Sequence, residues 1–281
     1  MPNAAARLLS HALAAAGSGA LSAGAPLLNL TIPKSGYTVK PDIAYGGGPR
    51  ARLDLYVPDG LNAPAPVILF FYGGSWQSGT KNIYRAFGQA FASAGIIAAV
   101  ADYRLYPEVK YPAFIQDGAQ AFRFLRETVG GHGGDPARIF VSGHSAGAYI
   151  AAKLACDPAY LENDAARIRG VIGIAGPYDF LPLYDPVLID IFGGDRVMTT
   201  QPIKYARNKT PPTLLAHGTA DTTVGAGNSR RMAKRLSGAG NSVELIEYKG
   251  ASHLGIILSL APGFRGGTTL RRDMLRFIAA N

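Results

Sequence analysis

Two rhythms of apolar residues take turns along the chain. Val39–Tyr45 and Arg52–Val57 read as strands joined by a turn around Gly46–Pro49. Val67–Tyr72 is an unbroken apolar run, the pattern of a strand covered on both faces. Helical patterns over Ile83–Ala94, Pro112–Thr128, Ala146–Cys156, Ser229–Ser237 and Arg271–Ala279 then alternate with β-rich runs at Ile96–Ala101, Arg138–Ser142, Val171–Ala175, Thr213–His217 and Val243–Tyr248. Within Pro112–Thr128, Phe114, Ala121, Phe122 and Leu125 fall on one side, so that helix is amphipathic. Eight strands that open with a hairpin and then alternate with helices predict an α/β protein. Its sheet is mostly parallel, with helices on both faces. The stretch Pro177–Pro212, mixed in Pro, Asp, Tyr and Gly, breaks the rhythm. It is expected to be a short cap insertion, residues 179–211, over the end of the sheet.

Composition sharpens this picture in few places. The 281 residues are 48% hydrophobic and 17% charged, enough for one large buried core and unlike a disordered chain. No linker divides the sequence, so residues 31–281 are expected to form one domain. The net charge of +9 could suit an anionic partner. However, the densest basic groups (Arg230, Arg231, Lys234, Arg235; Arg271, Arg272, Arg276) lie in amphipathic helices, and no nucleic-acid-binding motif accompanies them. No nucleic-acid partner is expected. The single cysteine, Cys156, excludes an intrachain disulfide and a Cys-based metal site, and its helical setting reads as core. Residues 1–30 leave three readings open: a packed helix, a signal-like segment, or a lid that touches a membrane or the site. The location expected is cytoplasmic, or exported if that segment is a signal.

The sharpest local signal is Gly143-His144-Ser145-Ala146-Gly147, set between a β-branched strand and an Ala-rich helix. This is the spacing and setting of a nucleophile elbow. A serine in a tight strand-to-helix turn needs small residues two places away on either side. The turn also aims the Ala146 N–H and the helix N-terminus at one point, where they favour negative charge. Such a serine needs a base oriented by a third group. Of five histidines, His253 follows the last strand, where the chain order Ser…Asp…His puts the base. His217 ends a strand and reads as a buried, hydrogen-bonded residue. Asp221, directly after Thr213–His217, is the expected acid, with Asp179 its serious rival.

Strand Val67–Tyr72 runs into Gly73-Gly74-Ser75-Trp76. Paired glycines let backbone N–H groups approach a substrate oxygen. The expected oxyanion donors are Gly73, Gly74 and Ala146, with the Ser75 or Trp76 N–H able to replace one glycine. The sole tryptophan, Trp76, is expected to pack on this loop and line the acyl pocket.

Taken together, Tyr72–Trp76, Asp102–Glu108, Gly143–Gly147, His217–Asp221 and Ser252-His253 resemble the α/β-hydrolase carboxylesterases related to hormone-sensitive lipase and kynurenine formamidase, of the bacterial feruloyl/acetyl-esterase-like group. The resemblance runs from about Val39 to the C-terminus. It implies an α/β-hydrolase fold and a serine esterase acting on short-chain carboxylic esters through an acyl-enzyme on Ser145. No cofactor or metal is expected, and the chain is expected to be a monomer or a homodimer with a small-molecule ester as substrate. Such families usually carry His-Gly-Gly where this chain has Tyr72-Gly73-Gly74, so Tyr72 would have to brace the loop through its hydroxyl. Asp102 and Arg104 read as structural, with Arg104 paired to Asp117. Two alternatives stay open: an arylformamidase-type amidase on the same triad, and a non-catalytic ligand-binding relative.

Overall fold

The computed structural model describes residues 29–264 and 267–281. The expectations for residues 1–28 lie outside the described residues. Eight strands form one sheet: β1 (Tyr37–Ala44), β2 (Arg52–Pro58), β3 (Ala65–Phe71), β4 (Ile97–Ala101), β5 (Gly134–His144), β6 (Ile168–Ile174), β7 (Thr213–Gly218) and β8 (Val243–Tyr248). Their order is β1-β2-β4-β3-β5-β6-β7-β8. The β1–β2 and β2–β4 pairs are antiparallel, and every later pair is parallel. This is an α/β-hydrolase fold, with helices covering both faces of the sheet.

Burial follows the sequence pattern. Every residue of β4 and nearly every residue of β3 is buried, because helices lie above and below them. The edge strand β1 is almost wholly exposed. Full burial of side chains such as Phe70 and Phe71 contributes about 1.5–3 kcal/mol each.

The described helices are α1 (Arg85–Ala92), α2 (Ala113–Thr128), α3 (Ala146–Cys156), α4 (Pro158–Leu161), α5 (Pro186–Phe192), α6 (Pro202–Tyr205), α7 (Gly227–Gly238), α8 (His253–Leu258) and α9 (Leu270–Ala280). Where a helix was expected from Ile83, the chain first makes a 3-10 turn, Lys81–Tyr84, with the Thr80 side chain accepting from the Asn82 N–H. The irregular stretch 177–212 holds α5 and α6. Asp185 caps α5 by accepting from the Val187 and Leu188 N–H groups at 2.7 and 3.1 Å. Neither helix is long enough for its apolar spacing to show as a period.

Register puts the site at one rim. Phe71 pairs with Gly143, His144 with Ile174, and Gly218 with Tyr248. Residues just beyond these strand ends therefore emerge side by side. The loop after β4 is pinned nearby: Arg104 grips Asp117 of α2 with its Nη2 2.6 Å from Oδ1, and the Arg104 N–H donates to Oδ2 at 2.8 Å. That is the pairing the sequence suggested.

The tightest packing lies at the elbow. A Cβ on Gly147 would come within 1.9 Å of the Phe71 carbonyl oxygen, and one on Gly143 within 2.2 Å of the Gly147 backbone. Both obstacles are backbone, so no side-chain motion relieves them. Gly147→Ala is expected to cost about 2 kcal/mol or more. The check is the urea midpoint at unchanged m-value; a variant as stable as the wild type would contradict this packing.

Candidate active site

Ser145 occupies the turn between β5 and α3 with φ 53° and ψ −121°. This is a left-handed conformation that L-residues rarely adopt, and such strain is held only where the surroundings over-determine it. Here the Ser145 N–H is tied to the Ile174 carbonyl at 2.9 Å, and the elbow glycines admit the sharp turn. The serine is 8% exposed. Among the described residues none hydrogen-bonds its hydroxyl.

Asp221 and His253 are brought together from β7 and β8, with Nδ1 of His253 2.7 Å from Oδ2 of Asp221. The other carboxylate oxygen accepts the N–H groups of Thr223 and Val224 at 2.9 and 2.8 Å. Burial opposes ionisation of Asp221. The hydrogen bonds from His217 and His253 outweigh it and hold the carboxyl well below the usual carboxylate range. His253 is not in an open loop, as expected, but is the first residue of α8. Ser252 caps that helix by accepting the Gly255 N–H at 3.1 Å. The helix is short and buried almost all round, so its apolar run Leu254–Leu258 carries no amphipathic period. Asp179, the rival acid, is instead spent on Arg231 at 2.5 Å.

A second imidazole shares the carboxylate. His217 Nε2 lies 3.2 Å from Asp221 Oδ2 and 2.7 Å from the Val224 carbonyl. A carbonyl can only accept, so Nε2 carries the proton. Nδ1 then accepts from the Ser229 hydroxyl at 2.7 Å. The network therefore reads Ser229, His217, Asp221, His253. Ser229 and His217 are wholly buried, inside α7 and at the end of β7. The sequence marked His217 as buried and bonded but gave no sign of Ser229.

The candidate oxyanion loop leaves β3 through Gly73. Its N–H is engaged, donating to the Tyr84 hydroxyl at 3.3 Å. Beyond it come three residues in positive φ: Gly74 at 137°, Ser75 at 52° and Trp76 at 60°. Their N–H groups, and that of Ala146, meet no acceptor among the described residues. Tyr72 is stacked between Tyr103 and Tyr84, with ring centroids 4.7 and 5.8 Å away. Its hydroxyl receives an Arg50 N–H and meets the Asp102 carboxylate, while Tyr103 donates to the Tyr72 carbonyl at 2.8 Å. Trp76 packs edge-on against Tyr149 and Phe192 at 5.2 and 4.9 Å and stacks on Phe180 at 6.2 Å.

His144, next to the serine, is fully buried, and its ring lies 4.7 Å from that of His253. Burial, reinforced by the neighbouring His253, lowers its pKa to about 3. Unfolding returns the ring to its ordinary value near 6.5, so the unfolded chain binds the proton first. The stability this contributes is complete above pH 6.5 and is lost as pH falls toward 3, by about 1.4 kcal/mol per pH unit. Urea unfolding at pH 7, 6 and 5 should show wild type losing that slope relative to His144→Gln; parallel curves would refute a neutral buried ring.

Among the described residues, no helix is long and apolar enough to cross a membrane, and no group of three His, Cys, Asp or Glu side chains could hold a metal ion.

Comparison with known proteins follows the same lines. Residues 53–236 match the BD-FAE family, a stretch that includes the elbow and Asp221 and ends before His253. Similar curated proteins include the probable isoprenylcysteine alpha-carbonyl methylesterase ICME of Oryza sativa subsp. japonica, 32% identical over 85% of this chain and 63% of that protein. Another is the carboxylesterase NlhH of Mycobacterium tuberculosis, 32% identical over 72% of this chain and 70% of its own length. The chain spans only 53–63% of the isoprenylcysteine methylesterases it matches. Among solved structures, esterase Est2 of Thermogutta terrifontis aligns with a TM-score of 0.69 at 27% identity, covering 88% of this chain and 94% of that one. A truncated carbohydrate esterase from gut microbiota reaches 0.77 at 22% identity over 88% of this chain and 98% of that one, a likeness of fold alone. These matches point to bacterial carboxylesterases, not specifically to hormone-sensitive lipase or kynurenine formamidase. With its elbow, its carboxylate–imidazole pair and this sheet order, the chain belongs to the BD-FAE family of α/β-hydrolase-fold esterases.

Proposed function

We propose that this chain is a serine carboxylesterase that hydrolyses short-chain carboxylic esters through an acyl-enzyme on Ser145. The observation that carries the reading is the 2.7 Å Asp221–His253 pair at the rim where the elbow presents a strained serine. Ser229 also has a histidine partner, but it is sealed inside α7, and that histidine's Nε2 proton is committed to Val224 and Asp221. Ser145 stands at a helix N-terminus beside unengaged amides, where an oxyanion can be held.

In this mechanism His253 removes the Ser145 proton as the hydroxyl attacks the ester carbonyl. Asp221 fixes the tautomer and stabilises the imidazolium that forms. The oxyanion is held by the N–H groups of Gly74, Ser75 and Ala146. Gly73 was the sequence-based candidate, but its N–H is engaged with Tyr84, so the donor set moves on by one residue. His253 then protonates the leaving alcohol, activates a water, and releases the acid. The missing Ser145–His253 hydrogen bond is no obstacle, since catalytic hydrogen bonds often tighten only with substrate bound.

Residues 31–281 act in this reading as one catalytic unit, with 179–211 as its cap. The cap's Phe180 and Phe192 close on Trp76 and Tyr149, one turn along α3 from the nucleophile, which favours a small acyl group. A methyl ester of an apolar acid is the second reading, favoured by the relatives named as isoprenylcysteine methylesterases.

The test is a p-nitrophenyl ester series from acetate to decanoate, run beside N-formylkynurenine and a prenylcysteine methyl ester. Acetate or butyrate should lead, and Ser145→Ala should lower kcat by about 10³-fold or more. Wild-type turnover in Ser145→Ala would refute the nucleophile; a preference for the formamide or the prenylcysteine ester would refute the substrate.

A further inference from the structure

Behind the nucleophile runs a file of polar groups that the proposed chemistry does not use. His144 Nε2 lies 3.0 Å from the main-chain carbonyl of His253. Since a carbonyl only accepts, Nε2 carries the proton and Nδ1 is a lone pair. The Tyr84 hydroxyl faces that lone pair at 3.5 Å and donates to it. The same hydroxyl oxygen accepts the Gly73 N–H at 3.3 Å. All the directions are thereby forced: Gly73 donates to Tyr84, Tyr84 to His144, and His144 to His253. The file joins the loop after β3, the elbow after β5 and the base after β8.

From this continuity we infer that Tyr84 and His144 are positioning residues that set the oxyanion loop and the base at a fixed separation across Ser145. The inference rests on the serine-esterase reading above. Each end of the file controls a different partner of the reaction. At one end the bond to Tyr84 fixes the Tyr72–Gly73 peptide, from which the left-handed run Gly74–Trp76 departs. The loop also has little room to settle elsewhere, because a Cβ on Gly73 would lie 2.9 Å from the Ser145 Cβ and 3.0 Å from His144 Nδ1. At the other end the base is held twice, by its main chain through His144 and by its ring through Asp221. Burial keeps the His144 ring neutral, as the file requires. Displacing reacting groups by an ångström costs on the order of 100-fold in rate.

The test uses Tyr84→Phe, His144→Leu, His144→Gln and the double variant Tyr84→Phe/His144→Leu. Each is assayed for kcat and KM on p-nitrophenyl acetate, beside a fluorophosphonate labelling rate and the ring ¹⁵N shifts of His144 in the wild type. Tyr84→Phe and His144→Leu should each lower kcat about 10–100-fold with KM changed by less than about 3-fold. The double variant should be no worse than the worse single one, since both cut the same file. His144→Gln should keep most of the activity, because an amide can donate to His253 and accept from Tyr84. The ring shifts should report the Nε2–H tautomer. The inference is overturned by an undiminished kcat in Tyr84→Phe, by losses that multiply in the double variant, by Gln being as damaging as Leu, or by the Nδ1–H tautomer. A wild-type chain inert to the probe overturns the esterase reading itself and the positioning role with it, whereas an active wild type with an unaffected Tyr84→Phe overturns the positioning role alone.

Discussion

The end of β3, the end of β5 and the first turn of α3 meet with no space for a side chain between them. Gly147 lies so close to the Phe71 and Tyr72 carbonyls that a Cβ there would fall 1.9 and 2.6 Å from their oxygens. This contact has consequences in both directions along the chain. It forces the strand-to-helix turn to be sharp, which puts Ser145 into its left-handed conformation. It also draws the candidate oxyanion loop against the elbow, because Gly73 follows β3 directly over Ser145 and His144. The strain in the turn is sustained by packing that has no alternative arrangement of similar density. Ser145 and the candidate oxyanion loop are thus brought together by one steric fact.

Buried polar groups extend that placement outward. Asp221 is held by two backbone N–H groups and two imidazoles, so its carboxylate cannot rotate without losing several bonds together. The helix behind Ser145 is fastened to the segment above it in a comparable way. Tyr149 donates to the Thr200 carbonyl at 2.5 Å, and Lys153, Tyr111 and Tyr205 all reach the Thr199 carbonyl at 3.2 Å. Lys153 is wholly buried, with its ammonium 2.5 Å from Asp157 and 4.0 Å from the centre of the Tyr205 ring. Burial lowers its pKa, and Asp157 and the surrounding rings compensate for water. Removing Asp157 alone would leave a buried cation unpaired, the costly way to break such a pair. The aromatic wall of Trp76, Phe180 and Phe192 therefore rests on a base tied to α3, not on a freely hinged flap.

Much of the sheet could be read from the chain because each strand left a local trace. All eight appeared in sequence order as β-branched or continuous apolar runs, and the elbow was visible because its glycines are demanded by a local turn. Asp221 and His253 could be chosen by position after strands, since a parallel sheet brings those positions to one rim. What remained hidden depends on contacts distant in sequence. Nothing near Gly73 shows that its N–H is engaged, because Tyr84 approaches from another element. Nothing near His217 marks Ser229, twelve residues on and inside a helix. The helix beginning at His253 escaped notice because it is buried on nearly every side, which erases the period on which pattern reading relies.

Tyr72 stands where the family resemblance implies a histidine, and its contacts show how the loop is braced without one. The candidate oxyanion loop has a rigid base beneath Gly73. Tyr72 supplies it with a ring clamped between Tyr84 and Tyr103 and a hydroxyl held by Arg50 and Asp102. Arg50 in turn donates to the Gly79 carbonyl at 2.8 Å and the Tyr103 carbonyl at 2.7 Å, so one guanidinium closes the far side of the loop. The proposed donors are main-chain amides, which no substitution at position 72 can remove. In the proposed mechanism only the oxyanion donors lie in the backbone, and the side chains packed beneath Gly73 serve to keep that backbone still.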